Sequence, residues 1–157
     1  GRMFDERDHV HTLMYVVRWS VNRDDDGVPA PLALDHPFTG LVALMVDRNE
    51  DVDAKTFSAW LRDECLPGAL PDSPVALVVA MTPIPLPEGA PVFQPENPGQ
   101  ERRTLLLCFL DEDPRNRWSA LHGLADRIAV GGHGHVAYAA PFIPTLPGTD
   151  TYTDQLW

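Results

Sequence analysis

Cysteine is scarce in this chain, basic residues are outnumbered, and no long apolar run occurs. There are two cysteines, Cys65 and Cys108. Two are too few for a disulfide framework in a chain of this size, so both are expected reduced, in a cytoplasmic setting. Twelve Lys and Arg stand against 23 Asp and Glu, a net charge of −11. Nucleic acid and anionic membrane surfaces both require a positive face, so neither is an expected partner. The same balance disfavours highly anionic substrates. No apolar stretch approaches the roughly 18–20 residues needed to cross a bilayer. The N-terminus has no basic region followed by an apolar core, so no signal peptide is expected. Gly1-Arg2 ahead of Met3 reads as a cloning remnant, with Met3 the expected natural start.

What is present is a chain of 157 residues, 44% apolar, enough for one domain with a sizeable core. Leu13 to Trp19 is rich in β-branched and aromatic residues and reads as a strand. An acidic turn and a proline-bearing connector (Pro29, Pro31, Pro37) follow it. Residues 1–40 are therefore expected to form an N-terminal extension carrying one strand. Residues 41–142 read as strand, helix, strand, loop, strand, helix, strand, and residues 143–157 as a C-terminal arm. Strands are expected at Leu41 to Asp47, Val75 to Met81, Thr104 to Leu110 and His133 to Ala140. The first helix is expected from its cap, Asp53, to about Leu66, with Phe57, Trp60 and Leu61 on one face and a stop at Pro67-Gly68. The second is expected from Asp113 as cap and Pro114 as first residue to about Val130, ended by Gly131-Gly132.

The order βαββαβ is the ferredoxin-like pattern, an α+β fold with one antiparallel sheet and both helices on one face. Its strands are nearly continuously apolar, as in Val75 to Met81 and Leu105 to Leu110. Strands of that kind are buried on both faces. The helices cover one, so the other needs a second cover. A second copy of the chain is the simplest candidate, which gives a homodimeric α/β barrel whose interior can hold a small apolar or aromatic molecule.

The helix Phe57-Ser58-Ala59-Trp60-Leu61-Arg62-Asp63-Glu64-Cys65-Leu66-Pro67 resembles the Phe-x-x-Trp-x-x-Asp-Glu-His-Leu-Pro helix of the EthD-like branch of the dimeric α/β-barrel superfamily. Cys65 stands where that pattern has histidine. The tail from Pro141 to Trp157 resembles C-terminal tails in the same group, so the likeness spans about residues 41–157. The resemblance implies a small cofactor-independent enzyme of the cyclase, dehydratase or monooxygenase type, acting on an aromatic or polyketide-like compound. No cofactor and no metal are expected. The alternatives are a non-catalytic binding or interaction protein, to which the absent histidine would point, and a haem-binding protein, which would need a histidine directed into a suitable cavity.

His133 and His135 lie two apart on the last strand, so they are expected on one face, where either could serve as general base. The alternative is a pair of exposed histidines in a glycine-rich turn. A metal held by this pair would need a third ligand, and none is evident. His122 falls on the apolar face of the second helix, either packed in the core or reaching a cavity as a base. Tyr138, Phe109, Met81 and Trp60 are the expected substrate-binding residues, with Tyr15 a further candidate for the cavity wall. Tyr138 is expected on the face opposite His133 and His135, which makes them competing choices. Cys65, at a helix C-terminus beside Asp63 and Glu64, is expected to be inert, because negative potential disfavours a thiolate. Trp157 is expected to dock on its own domain or on a partner subunit.

Overall fold

The computed structural model of the chain describes residues 14–85 and 99–143. Outside those residues lie the start of the chain with His9 and His11, residues 86–98 of the proline-rich loop expected over residues 83–99, and the arm from residue 144 to Trp157. The architecture is α+β: one five-stranded antiparallel sheet with a helical layer on one face. The strands are β1 (Met14–Asn22), β2 (Gly40–Arg48), β3 (Val75–Ile84), β4 (Arg103–Leu110) and β5 (Gly134–Phe142), in the spatial order β1-β3-β4-β2-β5. β4 therefore lies between β2 and β3, and β2 lies between β4 and β5. The early strand β1 joins the edge of this sheet beside β3.

The first helical segment opens as the sequence suggests. Asp53 Oδ1 accepts from the backbone N–H of Lys55 at 3.0 Å and of Thr56 at 2.9 Å, which satisfies two of the open donors of α1 (Ala54–Trp60). It does not stop at Pro67-Gly68. A π-helical turn (Leu61–Cys65) carries the chain into α2 (Leu66–Ala69), and the N–H of Leu66 donates to the carbonyl of Leu61, five residues back. The cause is Pro67, whose ring would strike the carbonyl four residues before it in a regular helix; widening the preceding turn relieves that contact.

The later helix, α3 (Trp118–Val130), begins four residues after the expected start. Asp113 caps a turn instead: its carboxylate accepts from the N–H of Arg115, its carbonyl from that of Asn116, and the Pro114 carbonyl from that of Arg117. Asp-Pro serves equally as a turn opening and as a helix start, and here the turn is formed.

The core lies between the helices and the sheet. Val42, Leu44 and Val46 of β2, Val78 and Ala80 of β3, and Leu106, Cys108 and Leu110 of β4 pack against Phe57, Leu61, Leu66, Leu121, Leu124 and Ile128. A smaller cluster occupies one end of the opposite face. There the connector after β1 folds back, and Ala33 and Phe38 pack on Leu77, Val79 and Phe109, with the Phe38 and Phe109 rings 5.2 Å apart. Part of the second face is thus covered from within the chain.

Candidate functional site

No described residue packs on the rest of the second face, and the register orders the whole face in rows, of which the first at Leu77 and Phe109 and the second at Val79 lie under the connector. One row reads Asn22, Leu77, Phe109, Leu41, Phe142 across the five strands, and the next reads Ser20, Val79, Leu107, Ala43, Ala140. A third reads Val17, Met81, Leu105, Met45, Tyr138. Val17 and Tyr138 are each 52% exposed, whereas the covered-face neighbours Val46 and Leu106 are at 0%. The last row is polar: Tyr15 opposes Pro83, and Asp47 opposes both Arg103 and His135. Mainly apolar rows, covered by the connector at one end and uncovered by described residues toward the other, thus end at one polar row.

Asp47 and Arg103 hold the centre of that row. The guanidinium donates from Nε to Asp47 Oδ1 at 2.8 Å and from Nη2 to Oδ2 at 2.9 Å, a two-pronged pair that is mostly buried. Arg103 holds the carboxyl below its ordinary range, opposed by burial, and the field of His135 acts in the same direction as Arg103. Tyr15 contributes a buried hydroxyl with no hydrogen-bond partner among the described residues. Burial raises its pKa, with the Arg103 charge opposing, so the phenol stays protonated and keeps a donor to offer. A protonated donor, a carboxylate fixed in its ionised form and an imidazole share one edge of an apolar surface. That set can bind an oxygen function of an apolar molecule and move a proton on it.

The expected site residues divide between the two faces. His135 and Tyr138 share the open face. A β-bulge at Ala137 causes this: Val46 opposes Val136 while Met45 opposes Tyr138, so the alternation is reset by one residue. Their expected opposition is therefore corrected. His133 precedes β5 and stacks on Trp60 at 4.6 Å, on the helical side, so it does not share a face with His135. Trp60 is held there by the turn after α3; a Cβ at Gly131 would lie 2.0 Å from its ring. Met81 is half-buried on the open face, and Phe109 is on that side but lies beneath Phe38. His122 lines a crevice of about 40 Å³ with Leu121 and Ala139 on the helical side.

Cys65 is buried in the helical layer, and burial pushes its thiol up to about 11; Cys108 is pushed to about 12 by the same cause. Cys65 thus lies across the sheet from the polar row. Among the described residues no three His, Cys, Asp or Glu side chains converge as a metal site, and no helix is long and apolar enough to cross a membrane.

Asp47 and Arg103 do not stand out in the sequence as site residues, although a signal is present. They are charged residues at the ends of otherwise apolar strands, and the βαββαβ order makes those strands antiparallel neighbours. The end of β2 must then meet the start of β4. No protein-family model, no curated protein and no solved structure matches the chain.

Proposed function

We propose that this chain is a ferredoxin-like protein that pairs with a second copy through its open sheet face, and that the enclosed space receives a small apolar or aromatic molecule. The reading follows the resemblance to the EthD-like branch of the dimeric α/β barrels. The chemistry assigned is proton transfer without a cofactor, on a substrate bearing a hydroxyl or carbonyl oxygen. Tyr15 would donate to that oxygen, Asp47 and Arg103 would fix the charge pattern, and His135 would take or return the proton. The observation that carries this reading is the polar row bordering the apolar part of the sheet face that neither the helices nor the connector covers.

Cys65 at the family histidine position does not weaken this assignment. It sits on the other side of the sheet, so its identity removes nothing from the row.

The test uses 2-naphthol as an aromatic, hydroxyl-bearing probe, followed through the imidazole resonances of His135. Saturable binding that shifts them, and that weakens at least about tenfold in Tyr15→Phe through loss of one hydrogen bond, is the expected result. Absence of saturable binding would refute the site. A non-catalytic protein of the same architecture would bind the probe equally but exchange no substrate proton with solvent.

A further inference from the structure

A cavity of about 60 Å³ lies on the helical side of the same sheet end, between α1 and the strands. Its inner wall includes Phe57, Leu61 and Ala80, all nearly fully buried. Trp19 also lines it and donates from Nε1 to Ser58 Oγ at 2.8 Å. Arg18, Arg48, Arg102 and Arg103, all less buried than that wall, line it as well, against one acidic residue, Glu101. This is an unusual gathering in a chain with 12 basic residues and a net charge of −11.

The guanidinium groups are fixed in place but not saturated. Arg18 donates from Nε to Thr82 Oγ1 at 2.7 Å, and Arg48 donates from Nη1 to the carbonyls of Asn49 and Val52. Among the described residues neither meets a carboxylate. Arg102 is bonded from Nη1 to the exposed Glu50 at 2.7 Å, while its buried Nε makes no hydrogen bond among the described residues, the Glu101 carboxylate standing 3.9 Å away. A buried charged donor without an acceptor is costly, and an acceptor supplied by a ligand would complete it.

We propose that this cavity binds a short-chain organic carboxylate, its carboxyl group meeting Arg18, Arg48 and Arg102 and its hydrocarbon end resting on Phe57, Leu61 and Ala80. Size and polarity select the class. At about 10–15 Å³ per water-sized unit, 60 Å³ accommodates about five non-hydrogen atoms. A nucleotide or an aromatic acid is too large, and an inorganic oxyanion would leave the apolar wall unpaired with hydrocarbon. Arginine suits the charged end because its planar fork matches a carboxylate. The cavity shares Arg103 with the polar row but opens on the helical side of the sheet, so it does not depend on dimerisation.

Propionate is the probe, titrated at constant pH and ionic strength while the Trp19 indole N–H is followed by nitrogen-15 NMR; loss of the resonance in Trp19→Phe assigns it. The expected result is a saturable shift, with phosphate at least about tenfold weaker and with Arg48→Gln weakening propionate about tenfold, as loss of a charge-assisted bond implies. Arg48 also bonds the loop before α1, so Arg18→Gln, at an exposed position, provides a second variant that leaves the fold intact and is expected to weaken binding similarly. A linear, non-saturating response to propionate would overturn the proposal. So would phosphate binding as tightly as propionate, or Arg18→Gln binding as wild type.

Discussion

Leu106 and Leu105 are neighbours on β4, yet one is sealed under the helices and the other is only half-buried on the open side. The same division runs along β2, where Val42, Leu44 and Val46 are buried and Leu41, Ala43 and Met45 are not. In composition the two faces differ little; in surroundings they differ throughout. An apolar face with nothing packed on it contributes little to stability, because burial and not residue type supplies the free energy. A wide apolar patch on a free surface marks a place where something else binds. The connector bearing Phe38 covers one end of that face, and the polar row bounds the other.

The two faces should differ most at Leu106. Leu106→Ala should cost about 2–5 kcal/mol in urea unfolding, as full burial in a packed core implies, whereas Leu105→Ala should cost about 1 kcal/mol or less in dilute monomer. Equal costs would mean the two faces are equally packed within one chain. Met45→Arg places a charge at the centre of the open face. It should leave the folded monomer intact and weaken self-association at least about a hundredfold, since the charge would be buried unpaired.

Asp47→Asn addresses the polar row and should cost about 1–2 kcal/mol at neutral pH, as loss of a partly buried charge-assisted pair. The sign of its pH dependence follows from Arg103. Because the folded pKa lies below the unfolded one, the contribution is fully present above about pH 4, the unfolded value, and is lost as pH falls through the folded pKa. The gap between wild type and Asp47→Asn in urea unfolding should therefore close on acidification; a gap unchanged down to pH 2 would show that Arg103 does not hold the carboxylate. The smallest effect is expected from Tyr15→Phe. Removing a hydroxyl that has no partner among the described residues should change stability by less than about 1 kcal/mol, in the stabilising direction.

Much of the fold is legible in the residues. The alternation of apolar runs and helical periods yields the strand and helix order, and Asp53 marks the start of α1. Two boundaries are not legible. Pro67 signals a stop, but a π-turn absorbs it, and Asp113-Pro114 signals a helix start where a turn forms. In both cases the local signal permits two geometries and packing selects one. The site is less legible than the fold. His135 and His133 appear equivalent by spacing, yet His133 stacks on Trp60 and His135 faces Asp47. Tyr138 appears to lie opposite His135 until the bulge at Ala137 is known. A bulge has no fixed residue signature, and a single inserted residue reverses every side chain beyond it. The row formed by Asp47 and Arg103 becomes visible only when β2 and β4 are known to be neighbours.

Sedimentation velocity across the micromolar range tests most directly whether the open face is the functional one. If it is, wild type sediments at twice the chain mass and Met45→Arg as a single chain, with both folded by circular dichroism. A wild-type protein that sediments as one chain at every concentration, with 2-naphthol leaving the His135 resonances unmoved, would contradict that role.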